Sequence, residues 1–503
     1  MDSTIVFSAD HPRSTISGQV RRGELVRLAT GVYTAEVQSA PEDVVRAHSF
    51  EIVGRLFREA VITDRSARTG SAVDGVLYLA HDARPRDLEL PGLRVRARKG
   101  APPQPGDIAY PGGLHLASRA RGLAENCLPT RARGGEVRRT LDAEELGDWV
   151  DYICQNDGSQ RLLEYRQDAE VLASTLGVQE EHLATLQSLV GIAVGTRPDE
   201  TTKSRWLSSR RLGRPVDQVR VRRFERLTDA LRASSPQSRP LDTADPSRYY
   251  YLPFYEAYFS NFIEGTEFDV DEAARIVFDG DIPANRPADA HDVLGTYRLV
   301  NDQEEMARTG ADVDEFLTLI RHRNAAILEG RPDKRPGQFK ELGNRAGATL
   351  FVEPDLVEGT LAAGFRLRDG LDTAWERAVY VAFVVAEVHP FDDGNGRTAR
   401  AMMNAELTAG GQCRIIIPTV FRQDYLDGLR MMSRRDDPTV SIKAMRYAHD
   451  FTAGIDFSEY TEAKRQLVEA NAFEDPDSPR RLRILTGGNV VAPTASPWRQ
   501  SGS

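Results

Sequence analysis

The most constraining feature of this 503-residue chain is an eleven-residue segment, 378–388, that is apolar on nearly every side and is followed at once by a dense polar cluster. Read as a helix, Ala378-Val-Tyr-Val-Ala-Phe-Val-Val-Ala-Glu-Val388 has no face to give to water, so it belongs in the centre of a domain. Its strictly apolar part, 378–386, is far short of the ~20 residues that a bilayer span needs. A chain with 40% apolar and 28% charged residues around such a segment reads as globular. At ~100–200 residues per domain its length predicts about three domains. The acidic start, with neither a signal pattern nor a membrane segment, predicts a cytoplasmic protein without a membrane partner. Cys127, Cys154 and Cys413 lack the spacing of a disulfide framework or a metal site and read as buried thiols.

The cluster is His389-Pro-Phe-Asp-Asp-Gly-Asn-Gly-Arg-Thr-Ala-Arg400, after which Ala401-Met-Met-Asn-Ala-Glu-Leu407 resumes a helix. Helix, glycine-rich loop and second helix aim backbone N–H groups and a helix N-terminus at one spot, which suits phosphate. Gly394 and Gly396 allow close approach, and Arg397 and Arg400, three apart, can fork onto phosphate oxygens. Asp393 offers the hard oxygen that magnesium takes when it also holds nucleotide phosphates. The imidazole of His389, at the helix end before Pro390, is placed to take a proton from a hydroxyl nucleophile.

Taken in order, these residues resemble the signature of Fic-domain proteins, His-Pro-Phe-x-Asp/Glu-Gly-Asn-Gly-Arg-x-x-Arg, at every defined position. Around it, Arg335-Pro-Gly-Gln-Phe-Lys340 and Ala346-Gly-Ala-Thr-Leu-Phe-Val-Glu-Pro354 look like the family's entry segment and β-hairpin flap, which aligns a target by strand pairing. The resemblance covers about residues 250–455. It implies a mainly α fold, a helical domain with a hairpin flap, and transfer of AMP from ATP with Mg2+ to a Ser, Thr or Tyr hydroxyl of a protein docked near 346–354. His389 is then the general base and Asp393 the metal ligand, while Gly394, Asn395, Gly396, Arg397, Thr398, Ala399 and Arg400 hold the nucleotide phosphates. Asn395 is expected to fix both the loop and the α-phosphate. Tyr425 falls where the family commonly has a tyrosine near the base, and Ser433 stands where an Asn is often found. Gly396, a Lys in the kinase-like branch, favours adenylylation.

Upstream, Tyr258-Phe-Ser-Asn-Phe-Ile-Glu-Gly265 contains Ser260-x-x-x-Glu264-Gly265, similar to the inhibitory helix of the family's self-restrained members. The resemblance implies that Ser260, Glu264 and Gly265 are regulatory, with Glu264 pairing with Arg400 in the place of the γ-phosphate.

The rest is read from punctuation. Ala233-Ser-Ser-Pro-Gln-Ser-Arg-Pro240, with Asp245-Pro246, has linker composition. The expected organisation is an α+β region over 1–140, a helical connector over 141–232, a linker over 233–248, the inhibitory helix and catalytic domain over 249–473, and a flexible tail over 474–503. Residues 1–140 carry 21 basic against 16 acidic residues, +5 within a chain of net −10. A helix near 15–20 and a hairpin over 25–34 resemble the wing of a winged helix-turn-helix in antitoxin-type regulators of the AbiEi class, and Arg94, Arg96 and Arg98 alternate along a strand. That region therefore carries an expectation of nucleic-acid contact. It leaves open a second reading of the whole chain, a DNA-binding regulator whose Fic domain is a nucleotide sensor or dormant. Self-association is open as well.

Overall fold

The computed structural model describes residues 4–83, 86–486 and 489–491. The chain divides into two compact units, Met1–Gly213 and Arg214–Ser503. This corrects the expected boundaries at 140 and within 233–248.

The helices Ala143–Asp157, Ser159–Leu176 and Glu180–Ala193 share one apolar core with residues before 140. Trp149, 1% exposed, sits so close to Gly122 that a Cβ there would come within 2.7 Å of its ring. The helix Gln218–Ala233 belongs to the second unit instead, with Phe224 edge-on to Tyr380 at 6.4 Å and to Phe383 at 6.1 Å. The expected linker is docked: the Cys413 N–H donates to the Arg239 carbonyl at 2.7 Å, and Leu241 N–H to Gly411 at 2.9 Å. The expected tail is also packed over its first part. Leu482 is buried, and its carbonyl accepts from the Tyr447 hydroxyl at 2.7 Å. Residues 492–503 lie outside the described residues.

In the first unit a helix Arg13–Arg21 and a hairpin Val26–Ala29/Val32–Thr34 form as expected, the hairpin extended by Ile5–Phe7 into a three-stranded antiparallel sheet. A second sheet has six strands, and two of its pairs are parallel: Val76–His81 with Leu93–Lys99, and Val61–Ile62 with Leu114–Leu116. A wing alone does not require this. The run Val76-Leu-Tyr-Leu-Ala80 is buried throughout, as strands in parallel pairings usually are. The arginine strand is internally neutralised: Arg94 meets Glu136 at 3.1 Å, Arg96 lies between Glu136 and Glu89, and Arg98 meets Asp64 at 2.9 Å and Glu125 at 2.8 Å. The basic face expected to meet a polyanion is therefore already paired with carboxylates of its own unit.

The second unit is helical. Its central helix, Ala374–Val388, begins with a Thr373/Glu376 capping box and is buried along almost its whole length. It packs against Asn395–Ala409, and the loop between them is the polar cluster. A two-stranded flap, Arg345–Ala346 with Thr349–Leu350, precedes them. Among the described residues no helix is long and apolar enough to cross a membrane.

Candidate active site

Helix Ala374–Val388 stops at His389 because that residue turns left-handed, φ 52°, and Pro390 cannot continue the ladder. The imidazole lies flat on the ring of Phe351 from the flap, centroids 3.8 Å apart and planes within 4°. Its Nδ1 is 3.3 Å from the Ala386 carbonyl. Burial, with the nearby Lys340 ammonium, pushes its pKa down from 6.5 to about 4. The ring is thus neutral at physiological pH. With the Nδ1–H donated to Ala386, Nε2 is left as the proton acceptor.

Three side-chain amides fix the loop that follows. Asn395 accepts from the Phe391 N–H and donates to the Phe391 carbonyl, both at 2.8 Å. Asn324 donates to the Asp393 carbonyl at 3.0 Å and accepts from Gly337 N–H at 2.9 Å. Asn344 donates to the Phe391 and His389 carbonyls at 3.1 and 3.3 Å, and accepts from the Lys340 ammonium at 2.6 Å. Lys340 is 3% exposed, and burial pushes its pKa down to about 8. Gly394 takes φ 74°, and a Cβ there would press on Asn324 and Leu328 at 3.1 Å. The helix that starts at Asn395 therefore opens with its N–H groups toward the loop.

Arg400 is held on three sides. Its Nη2 donates to Glu264 Oε1 at 2.7 Å and to the Ser260 carbonyl at 2.8 Å, and its Nε donates to Ser260 Oγ at 2.9 Å. Helix Leu252–Ile263 delivers these groups and ends at Gly265, whose φ of 89° suits only glycine. Burial opposes ionisation of Glu264, but Arg400, helped by Arg397, outweighs it and holds the carboxyl below its usual range. The Glu264 carboxylate lies directly over Gly396, where any Cβ would overlap Oε1. Arg397 is 3% exposed; it pairs with Asp292 at 2.7 Å and donates to Asn261 at 3.2 Å.

A cavity of about 380 Å³ joins these parts. Glu264, His389, Gly396, Arg400 and Tyr425 are among its lining residues. The flap supplies Ala346, Gly347, Thr349 and Phe351, and Phe383, Ala386, Glu387, Leu426, Leu429, Arg430, Ser433 and Arg434 complete the lining. Asp393 is partly exposed, its Oδ1 accepting from Gly394 N–H at 2.6 Å and lying 3.5 Å from Arg397. Among the described residues no group of three or more His, Cys, Asp or Glu could hold a metal by itself. Asp393 fits a magnesium ion in one way only, as a single protein ligand beside phosphate oxygens.

Some expected contacts are not made. Thr398 and Ala399 are fully buried, and Thr398 accepts from Asn324 at 3.4 Å, so neither side chain is in the cavity wall. The side-chain amide of Asn395, expected to fix both the loop and the α-phosphate, is spent on Phe391. Phe351, Asp292, Asn261, Asn324, Asn344 and Lys340 act here without having been singled out in the sequence. Phe351, Lys340 and Asn261 lay inside segments whose pattern pointed to the site; Asp292, Asn324 and Asn344 did not.

A larger open cleft, about 1280 Å³, lies in the first unit. Polar groups on its wall pair with each other, Arg55 with Asp10 at 2.6 Å and His48 with Glu51 at 3.0 Å.

Residues 314–407 match the model of the Fic/DOC family. The chain carries a Fic domain. The protein adenylyltransferase Fic of Nematostella vectensis is 25% identical over 248 residues, 46% of this chain and 56% of its own length. That of Aedes aegypti is 24% identical over 228 residues, 44% of each. That of Drosophila persimilis is 39% identical over 59 residues, 12% of each. The chain thus spans about half the length, or less, of the curated relatives it matches. A Fic domain-containing signalling protein of known structure from Bacteroides thetaiotaomicron aligns over 46% of this chain and 92% of its own at 19% identity, with a TM-score of 0.36.

Proposed function

We propose that the chain is a protein adenylyltransferase that moves AMP from ATP to a hydroxyl of a target protein and is restrained by Glu264. The observation that carries this reading is the Glu264–Arg400 pair, 2.7 Å, set over Gly396 in the same cavity as a neutral His389.

His389 Nε2 takes the proton of the target hydroxyl, whose oxygen attacks the α-phosphorus in line as the bond to the β-phosphate oxygen breaks and pyrophosphate leaves. Backbone N–H groups at the start of helix Asn395–Ala409 face the charge that develops on the phosphate. Arg397, aimed by Asp292 and Asn261, meets the β-phosphate. A magnesium ion on Asp393 would supply charge neutralisation of the phosphates. The flap offers an exposed edge, with Leu350 67% exposed, for strand pairing with the target. With Glu264 on Arg400, the γ-phosphate loses its guanidinium and the α-phosphate loses its in-line alignment. ATP binds, and transfer stalls.

The test is incubation of the full chain and its Glu264→Gly variant with labelled ATP and magnesium, read by protein labelling and by the mass added to modified residues. Label from the γ-phosphate instead of the α-phosphate, or none from either protein, defeats the proposal.

A further inference from the structure

Helix Gln218–Ala233 lies outside the stretch matched to the family, yet it reaches the flap. Phe224, edge-on to Tyr380 and Phe383, fixes this helix to the central one. Arg220 stands one turn before Phe224 on the same face. Its side chain is 15% exposed; Nε lies 2.8 Å from Glu387 Oε1, and Nη2 donates to the Leu350 carbonyl. Glu387 is two residues before His389, and Leu350 immediately precedes Phe351, whose ring covers the imidazole. One guanidinium therefore joins the end of the helix that delivers His389 to the strand that delivers Phe351.

A two-stranded hairpin is marginal by itself, so whatever ties it down decides where it sits. The Leu350 carbonyl has no acceptor role inside the hairpin. Phe351 N–H donates inward to the Asn344 carbonyl at 3.2 Å, which makes the next pair, Arg345 with Leu350, one whose backbone groups point outward. An outward carbonyl on an edge strand ordinarily goes to water or to an added strand. Here Arg220 takes it. A second and longer contact comes from the exposed Arg434, whose guanidinium donates to Thr349 Oγ1 at 3.3 Å.

We infer that Arg220 is a positioning residue for the flap: it fixes the Leu350 edge to Glu387, keeps Phe351 on the His389 ring, and leaves a target strand the opposite edge, where the Arg345 backbone groups point outward. Its role in transfer rests on the reading above, whereas the tie itself does not depend on it. Arginine suits the place because Nε and Nη2 serve two different partners at once. A lysine ends one atom short of Nη2, so its ammonium keeps the carboxylate and gives up the carbonyl. Glu387 also keeps Arg223, so Arg220→Lys should melt close to the parent.

Hydrogen exchange of the nucleotide-free full chain, read by mass spectrometry over residues 344–352, follows the tie without ATP or a target. Arg220→Lys and Arg220→Ala should both speed exchange there about 5-fold or more, the weight of one hydrogen bond from a charged donor, with residues 378–388 unchanged. Parent-like exchange at the flap in either variant overturns the tie, as does a larger effect from Arg434→Ala. In a Glu264→Gly background, Arg220→Lys should slow transfer from α-labelled ATP at least ~10-fold while ATP affinity stays within about 3-fold. Undiminished transfer with a loosened flap overturns the positioning role. Absence of labelling in Glu264→Gly itself defeats the transfer reading, and the exchange measurement still decides the tie.

Discussion

Two sets of arginines, one in each unit, look alike in sequence and differ in what their partners are for. Arg94, Arg96 and Arg98 alternate along a strand and suggest a face for a polyanion, yet each is paired with a carboxylate of its own unit. Arg397 and Arg400 open a helix and are also paired, but Arg400 stands in a cavity wall and its partner keeps 33% of its side-chain surface exposed. Asp64 and Glu125, by contrast, have none. A buried partner fixes an arginine as structure; a partner at the lip of a cavity is one that a ligand can displace.

The largest effect tests whether the second set serves chemistry. In a Glu264→Gly background, His389→Ala should lower transfer by about 10²–10⁴-fold, the usual loss for a general base, while ATP binding persists. Labelling at the parent rate would remove His389 from the mechanism.

The converse test belongs to the first unit. Arg98→Ala removes the nearer of two cations from each of Asp64 and Glu125, both fully buried, leaving only Arg139 and Arg121 at 3.4 Å, and should cost up to about 3–5 kcal/mol of stability, seen as earlier thermal melting. Arg94, 39% exposed, should cost less than about 1 kcal/mol when replaced. Equal melting shifts for the two variants would mean that the strand's pairs are surface pairs, and the face would again be open to a partner.

Between these lies restraint. Glu264→Gly should raise AMP transfer by at least ~10-fold, about 1.4 kcal/mol of productive alignment, with a smaller change in ATP affinity. Arg400→Ala should give no gain, because it removes the phosphate ligand along with the lock. Gly396→Ala sharpens the point, since its methyl would occupy the place of the Glu264 carboxylate. If carboxylate and γ-phosphate share that place, Gly396→Ala expels both, giving weaker ATP binding and no rise in transfer. A rise as large as that of Glu264→Gly would show that the two occupy different space.

How far the site was legible follows from the same contrast. The motif from His389 to Arg400 and the Ser260–Glu264 pattern are each short and local, so each could be matched to a Fic-family segment it resembles, and that resemblance, not spacing, put Glu264 opposite Arg400. Asp292, Asn324 and Asn344 are single polar residues on a helix or a loop, and nothing in their own neighbourhood sets them apart from solvated ones. Only the fold shows that all three face the motif. The two-residue strand Val61–Ile62 and the docked segment around Arg239 escaped for a related reason: their partners, such as Ala80 and His115 for Val61 and Cys413 for Arg239, lie beyond the reach of any local periodicity. The boundary at 213 was hidden because helices on both sides of it have the same apolar spacing and differ only in what they pack against.

The smallest expected effect is an absence of titration, and it decides whether acidity could open the lock. His389 has a folded pKa of about 4 against an ordinary 6.5, so its neutral ring contributes stability that is complete above pH 6.5 and is lost as the pH falls from 6.5 toward 4. Glu264 is shifted the same way for a different reason: its folded value lies below 4.5, so its pair with Arg400 holds above that range and is lost only as the pH falls through the lowered value. Neither half of the site changes charge between pH 8 and about 5.5. The ring resonances of His389, assigned by their loss in His389→Ala, should therefore stay at their neutral positions across that interval in the nucleotide-free protein. Basal transfer by the unmodified chain should not rise toward the activity of Glu264→Gly on mild acidification. A midpoint near 6.5 for His389 would mean that the ring is open to water, that Phe351 does not cover it in solution, and that the flap stands away from the site until a target arrives.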